Sequence, residues 1–212
     1  MRIKVWDLPT RLFHWLLVVL IAAAWWTDEN EDLTWHYRIG MAVLMLVLFR
    51  LIWGIIGGST ARFAHFVKGP RTIASYLRGN APKAVGHNPL GALSVLVLLG
   101  LVSLVVALGL FATDDDGLDP GPLSHLISYE AAEQATELHE VVFDVLLVMV
   151  AVHVAAIAYY LLFRRDNLIG PMVTGSRDGP EGVEPLRPAP AWRTGLAIVL
   201  ATLIAWWIWS GF

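Results

Sequence analysis

The segment from residue 138 to residue 163, LHEVVFDVLLVMVAVHVAAIAYYLLF, is long and apolar enough to cross a membrane as a helix. It carries two histidines, His139 and His153, fourteen residues apart. At about 3.6 residues and 5.4 Å per turn, this spacing places both imidazoles on one helix face, about 21 Å apart along the axis. Because a lone imidazole is costly to bury in hydrocarbon, each should have a partner, either a metal-centred cofactor or a hydrogen bond to a neighbouring helix.

The composition is that of an integral membrane protein. Of the 212 residues, 57% are hydrophobic and only 16% are charged, and ten are tryptophan. The chain has no cysteine, which excludes thiolate metal sites, iron–sulfur clusters, disulfides and the covalent attachment of haem. Any cofactor must therefore be held by histidine, methionine or oxygen ligands.

The apolar segments predict an all-α integral membrane bundle of five transmembrane helices. A further segment, 124–137, is expected to form a short amphipathic surface helix before the fourth span. The five predicted spans are residues 12–27, 36–56, 90–112, 138–163 and 192–210.

Lysine and arginine are segregated by loop, which predicts the orientation. The loop after the first span and the whole stretch between Lys83 and Arg164 contain no basic residue. By the positive-inside rule the N-terminus is cytoplasmic and the C-terminus is periplasmic. The basic residues on the cytoplasmic side are Arg2, Lys4, Arg11, Arg62, Lys68, Arg71, Arg78, Lys83, Arg164, Arg165, Arg177 and Arg187.

Two further histidines match the first pair in depth. His36 opens the second span on the outer side, the level of His139, whereas His14 lies near the cytoplasmic start of the first span, toward the level of His153. Depth therefore pairs His36 with His139 and His14 with His153. Each pair bridges two helices, as a bis-histidine metal cofactor in a bundle requires. A coincidental match in depth is the alternative.

Several short motifs together resemble the bacterial cytochrome b561 family, whose superfamily includes the b-type cytochrome subunits of nickel–iron hydrogenases. The resemblance implies two non-covalent haems b in the bacterial inner membrane and electron transfer between the quinone pool and a partner across the bilayer. It also implies that His14, His36, His139 and His153 are the iron ligands. The motifs are VWDLPTRLFHW at 5–15, HYRIG at 36–40, RFAHFVKGP at 62–70, GHNPLG at 86–91 and the HE pair at 139–140.

The resemblance covers about residues 5–163 and divides the chain into three parts. Residues 1–163 are expected to form a di-haem four-helix domain, 164–191 a cytoplasmic linker and 192–212 an additional C-terminal membrane helix. The fifth span departs from the four-helix members of the family and is closer to the hydrogenase-type subunits. It contains no histidine and is not expected to ligate haem.

Three residues near the proposed ligands are candidates for contacts with haem. Arg38, the sole basic residue on the outer side, is the candidate partner of the outer haem's propionates, with a snorkelling interfacial arginine as the alternative. Arg11 is the favoured candidate at the inner haem. The other basic residues available there are Arg2, Lys4 and Arg62. Gly40, one turn after His36, would let the porphyrin approach the helix backbone.

His87 lies in or beside a basic loop, and three roles are open to it. It could cap the third span, which we favour, hydrogen-bond a propionate or deliver protons to a quinone. His65 and His125 are expected to be ordinary surface residues.

The leading interpretation is a membrane electron conduit between quinone, bound near the inner haem, and an extracytoplasmic partner. Acidic outer loops favour a basic partner such as a c-type cytochrome and disfavour superoxide, the anionic substrate of some family members. A superoxide:quinone oxidoreductase and a hydrogenase-type b subunit stay as alternatives, as does a haem-free transporter with proton-relay histidines. No nucleic-acid partner is expected. The acidic residues are Asp28, Glu29, Glu31, Asp32, Asp114, Asp115, Asp116, Asp119, Glu130, Glu133 and Glu137.

Overall fold

The computed structural model describes residues 2–80, 86–114, 120–179 and 184–211. Five of its helices are long and apolar enough to cross a membrane, which confirms the predicted all-α membrane bundle. The five are α1, α2, α5, α6 and α8 in the chain order that follows. The described elements are β1 (Arg2–Lys4), α1 (Leu8–Glu29), α2 (Leu33–Ile56), α3 (Phe63–Phe66), α4 (Pro70–Leu77), α5 (Pro89–Phe111), α6 (Tyr129–Leu162), α7 (Ile169–Thr174), β2 (Ser176–Asp178) and α8 (Ala191–Trp209).

Helix α6 begins well before the predicted fourth span. The sequence predicted a separate surface helix over 124–137, but only Ser124–Leu126 forms a short 3-10 turn, and α6 runs unbroken from Tyr129 to Leu162. That prediction was wrong because no glycine or proline interrupts the segment, and because Ala132 and Ala135 are buried at 3% and 7% exposure. A helix that packs through small side chains has no reason to break there.

Side-chain oxygens fix the first turns of two membrane helices. Asp7 Oδ1 accepts a hydrogen bond from the backbone N–H of Thr10 at 2.9 Å, and Asn88 Oδ1 accepts one from Gly91 at 2.8 Å. Pro89 stands at the first position of α5, where no amide hydrogen is needed. The cap of α5 is therefore Asn88, and the favoured capping role of His87 was wrong.

The described residues cluster into two compact units, and each of the five long helices contributes a segment to both. Unit 1 comprises residues 1–13, 50–97 and 151–197, and unit 2 comprises residues 14–49, 98–150 and 198–212. These units are not the predicted division at residues 163 and 191, which stays a prediction. Residues 164–191 contain α7 and β2.

The core of unit 2 is aliphatic. It consists of Val43 and Val47 from α2, Val102 from α5 and Leu146 from α6, all at most 5% exposed. Helix α8 joins the same unit through small residues, since Ala201 and Ala205 are 0% and 7% exposed. Close packing through small side chains is the usual way in which membrane helices associate.

Unit 1 contains a small two-stranded ribbon that the sequence did not predict. Strand β1 pairs antiparallel with β2, with Arg2 opposite Asp178 and Lys4 opposite Ser176. Ile3, Val5 and Trp6 are buried beside the ribbon and pack against Met172 of α7. The ribbon ties the N-terminal segment to the segment that follows α6.

Candidate functional site

The structure brings His36 and His139 together in unit 2. Their ring centroids are 6.2 Å apart, and the ring planes are inclined at 70°. His36 lies in the first turn of α2, and His139 lies in the third turn of α6. These are the two histidines that their depth in the sequence paired on the outer side.

Both imidazoles are oriented by backbone carbonyl groups. His139 Nδ1 donates to the carbonyl of Val105 in α5 at 2.8 Å, and His36 Nδ1 donates to the carbonyl of Ala24 in α1 at 3.0 Å. A carbonyl oxygen can only accept, so Nδ1 carries the hydrogen and the lone pair of each neutral ring is on Nε2. A histidine bound to a metal through Nε2 is commonly held by such a bond from its other nitrogen.

Gly109 makes the His139 position possible. It follows Val105 by one helical turn, and a Cβ atom there would lie 3.0 Å from His139 Cε1 and 3.1 Å from Nδ1. A side chain there would force the ring to shift by a few tenths of an ångström, close to the nitrogen that binds the Val105 carbonyl. The sequence alone does not reveal this role, because it depends on which residue faces the glycine.

The pair fits a metal held between two axial imidazoles. With a metal–nitrogen bond of about 2 Å and about 1 Å from Nε2 to the ring centre, such imidazoles have centroids about 6 Å apart. A Cβ atom at Gly40 would meet nothing within 4 Å, so α2 has open space one turn after His36. Among the described residues, no group of three or more His, Cys, Asp or Glu side chains could hold a metal ion. A haem iron needs only two.

The two histidines of the predicted inner pair belong to different units. His153 lies in unit 1, where its Nδ1 is 3.4 Å from the hydroxyl oxygen of Ser94 in α5. His14 lies in unit 2, where its ring is edge-on to Trp15 at 4.9 Å. A hydroxyl group can donate or accept, so Ser94 does not fix the tautomer of His153. The pairing of His14 with His153 stays a prediction.

The two arginines proposed for haem propionates have other contacts. The Arg38 guanidinium lies 5.1 Å from the centre of the Trp35 ring, a cation–π contact at an exposed position. Arg11 Nη1 donates to the carbonyl of Val173 in α7, whereas Arg11 Nε is buried without a partner among the described residues. Neither contact tests a propionate role, so both assignments stay predictions.

Charge differs sharply between the sequence ranges of the two units. Unit 2 contains one basic residue, Arg38, so the other fourteen of the fifteen lysines and arginines fall in unit 1. The acidic side chains at the end of α1, in the loop after it and at the start of α6 are exposed. Four of the charged residues named above lie outside the described residues: Lys83, Asp115, Asp116 and Asp119.

His87 lies in an aromatic environment in unit 1. Its ring centroid is 4.5 Å from that of Trp6 and 4.6 Å from that of Phe66. Burial, assisted by the positive charge of Arg50, lowers the pKa of His87 to about 3. The ring is therefore neutral at physiological pH, and its Nδ1 is buried without a partner in the described part of the chain.

A hydrogen-bonded group in unit 1 was also not predicted. The hydroxyl groups of Tyr76 in α4 and Tyr160 in α6 are 2.9 Å apart, and Asn88 Nδ2 donates to the Tyr160 hydroxyl at 3.3 Å. Burial and the bond with Tyr160 raise the pKa of Tyr76 to about 12. Tyr76 therefore stays protonated, and the group links α4, the cap of α5 and α6.

The two remaining histidines are on the surface, as predicted. His65 in α3 and His125 in the 3-10 turn are both exposed. Their side chains have no part in the arrangement of buried histidines.

A family model described as "Prokaryotic cytochrome b561" matches residues 5–175. The match covers the segments that carry His14, His36, His139 and His153. No curated protein matches the chain.

Proposed function

The chain belongs to the prokaryotic cytochrome b561 family, and from this premise we propose that it transfers electrons between the quinone pool and an extracytoplasmic redox partner through two haems b. Membership of the family makes the chain a membrane b-type cytochrome with a role in electron transfer, and haem b is the cofactor of the family. The number of haems, the ligands, the quinone and the partner are the proposal.

The observation that carries the proposal is the geometry of His36 and His139. The two ring centroids are 6.2 Å apart, and each imidazole is held through Nδ1, which leaves both Nε2 atoms for a metal. Both histidines are half-buried, and a metal between them would use both Nε2 atoms. We assign the outer haem to this pair, with Arg38 as the partner of its propionates and Gly40 as the point of close approach to α2.

The second haem is proposed for His14 and His153, on the cytoplasmic side. The support is the depth of the two residues in the sequence and their inclusion in the region that the family model matches. Arg11 is proposed as its propionate partner, and quinone is proposed to bind near it, where the basic loops lie. The orientation follows from the charge segregation, which puts the N-terminus in the cytoplasm and the C-terminus in the periplasm of an inner membrane.

Haem b, when bound, supplies reversible one-electron transfer at its iron. The chain's own residues orient the axial imidazoles through Val105, Ala24 and Ser94 and keep water out with an aliphatic core. A dry environment of low dielectric constant also lets nearby charges shift the potential of each iron.

The acidic surface of unit 2 favours a basic redox partner such as a c-type cytochrome. Exposed Asp28, Glu29, Glu31 and Asp32 stand in a unit with a single basic residue. The same field repels superoxide, so an electron carrier is favoured over a superoxide:quinone oxidoreductase. A hydrogenase-type b subunit is distinguished by its partner, and a haem-free transporter by the absence of a haem spectrum.

Substitution of the proposed ligands tests the assignment. The purified protein should contain two haems per chain by the pyridine haemochrome assay. His139→Ala should remove one haem, and His153→Ala should remove the other, with a different change in the reduced spectrum. His125→Ala, which changes an exposed histidine in unit 2, is the control and should keep both haems.

Two results would contradict the proposal. A wild-type protein that binds no haem, after expression with ample haem supply, would refute the cytochrome function of this chain. Loss of both haems in each single variant, with size-exclusion profiles like that of the wild type, would refute two independent pairs.

A further inference from the structure

Arg50 is a buried arginine that forms no direct ion pair within the described part of the chain. Arg50 lies in α2 and is 3% exposed. Its Nη1 atom is buried without a hydrogen-bond partner among the described residues. In that part of the chain Arg50 also forms no ion pair within 4 Å. A charge inside a membrane span is expensive unless it is paired, so an unpaired guanidinium group there requires an explanation.

Aromatic side chains fix the guanidinium group. Its central carbon lies 4.8 Å from the centre of the Phe63 ring and 6.0 Å from that of Phe13. Gly54, one turn after Arg50 in α2, makes room for Phe63, because a Cβ atom at Gly54 would overlap the Phe63 ring. Stacking on rings satisfies the faces of a guanidinium group and leaves its edge for a partner in the plane.

Asp7 is the nearby carboxylate that influences Arg50, but its oxygens bind elsewhere. Oδ1 accepts the backbone N–H of Thr10 at 2.9 Å, and Oδ2 accepts Trp53 Nε1 at 3.2 Å. His87, the other ionisable group that interacts with Arg50, is neutral at physiological pH and cannot balance its charge. Within the described part of unit 1, no carboxylate oxygen therefore lies within 4 Å of the Arg50 guanidinium nitrogens.

We propose that the edge of Arg50 binds a propionate carboxylate of the inner haem. A guanidinium group pairs best with a planar carboxylate, which can accept two parallel hydrogen bonds. Phe13, whose ring centre lies 6.0 Å from the Arg50 guanidinium carbon, directly precedes His14 in the chain. His153 belongs to the same unit as Arg50. This inference rests on the proposed function, because it takes the haem at His14 and His153 as given.

A membrane phosphate is the other anion that an arginine could bind, and the burial of Arg50 disfavours it. The residue lies six positions before the end of α2 at Ile56, about 9 Å along the helix axis. Lipid phosphates lie outside the hydrocarbon layer, whereas a haem bound by His14 and His153 would be held among the membrane helices.

Chemical removal of the propionate charge, combined with mutation of Arg50, tests the pairing directly. Apoprotein from haem-deficient cells is titrated with haem b and with its dimethyl ester, in which both carboxylates are blocked. For one of the two sites, the wild type should bind haem at least about tenfold more tightly than the ester, as expected for a charge-assisted bond. Arg50→Gln should lower this ratio to the part that Arg11 contributes, and Arg50→Lys should give an intermediate ratio.

Redox titration gives a second measurement that does not depend on electron-transfer activity. Removal of a cation next to a propionate should lower the midpoint potential of one haem in Arg50→Gln and leave the other unchanged. Arg193→Gln is the matched control, because Arg193 also lies by an aromatic ring, at 5.5 Å from Trp192, and donates to the Ile56 carbonyl. The control should keep the wild-type ester ratio and both potentials.

The possible failures are distinguishable. If the wild type and Arg50→Gln bind two haems with the same ester ratio and the same potentials, the Arg50 assignment is wrong and the cytochrome function stands. If Arg50→Gln weakens haem and ester equally, and added anionic phospholipid restores binding only in the wild type, Arg50 binds a lipid phosphate and the assignment is wrong. If Arg50→Gln does not fold, the ratio in Arg50→Lys decides, and a wild-type ratio there overturns the assignment.

Discussion

Two glycines of helix α5 have different surroundings. A Cβ atom at Gly109 would contact the His139 ring at 3.0 Å, whereas a Cβ atom at Gly100 would meet nothing within 4 Å. Gly109→Ala should therefore move His139 by a few tenths of an ångström and lengthen its bond to Val105. We expect a shifted potential and broadened visible bands for one of two haems, measured by redox titration with visible spectroscopy.

Gly100→Ala is the control in the same helix. It adds the same methyl group without a clash, and alanine favours a helix over glycine by up to about 1 kcal/mol. In Gly100→Ala, the visible bands and the potentials of both haems should match those of the wild type. Equal effects of the two substitutions would mean that Gly109 does not position His139.

His87 should make the protein less stable in acid. Its pKa is about 3 in the folded protein and 6.5 ordinarily, so below pH 6.5 the unfolded chain gains a proton that the folded chain excludes. The free energy of unfolding should fall as the pH drops from about 6.5 toward 3, by up to about 1.4 kcal/mol per pH unit. Thermal unfolding in detergent as a function of pH measures this slope.

A phenylalanine at position 87 separates this effect from other titrations. His87→Phe keeps the ring that packs on Trp6 and Phe66 and removes the titrating group. Its unfolding temperature should depend less on pH than that of the wild type between about pH 4 and 6.5. Parallel curves for the two proteins would show that His87 is not kept neutral by burial.

Functional residues can be predicted from the sequence when they are polar groups that are costly to bury in a membrane. Residues whose role depends on their neighbours in the fold cannot be predicted in this way. His36 and His139 could be paired from depth alone, because an imidazole in an apolar span is conspicuous. Gly109 and Ser94 become important only through the histidines that face them. Arg50 was equally conspicuous, but its aromatic surroundings come from segments distant in the chain.

Among the elements, α8 is the helix that sets this chain apart from a four-helix bundle. It joins unit 2 through Ala201 and Ala205, and the Thr202 hydroxyl donates to Met45 Sδ at 3.6 Å. Ala201→Phe should lower the free energy of unfolding by about 1–3 kcal/mol, because a phenyl ring does not fit a packed helix contact. Thermal unfolding measures the loss.

The matched control for Ala201→Phe is a substitution on the opposite surface of α8. Val199 is 53% exposed, so Val199→Phe should leave the unfolding temperature almost unchanged. If Ala201→Phe were equally harmless, α8 would not depend on its small residues for packing.

The sequence was enough to predict the long helices, but not the exact start of α6 or the pairing of the short strands. Long apolar runs identified five spans, and Asn88–Pro89 marked the start of α5. The start of α6 was misjudged because polar residues before His139 suggested a change of environment rather than one continuous helix. The ribbon of β1 and β2 was not predicted, because a strand of three residues is too short to show a clear alternation of polar and apolar side chains.

At the scale of the whole molecule, charge is distributed unequally between the sequence ranges of the two units. Because Arg38 is the one basic residue of unit 2, electron transfer to a basic c-type cytochrome should be fast at low ionic strength. The second-order rate constant should fall about tenfold between roughly 10 mM and 300 mM salt, since screening shortens the reach of the acidic field. Stopped-flow absorbance measures it.

Charge reversal locates the docking surface. The double variant Glu130→Lys and Glu133→Lys should slow the reaction at low salt and flatten its salt dependence. Glu184→Lys changes an exposed acid of unit 1 and should have no effect. A rate independent of salt in the wild type would exclude electrostatic docking at the acidic surface.

The ribbon between β1 and β2 has a consequence for biosynthesis. Arg2 leaves the ribosome before its partner Asp178, which is made 176 residues later, after α6. The opening strand must therefore wait, unpaired, while four helices enter the bilayer. The ribbon can therefore form only after these four helices have been inserted. A protease that cuts only the unpaired strand would report how far insertion has progressed.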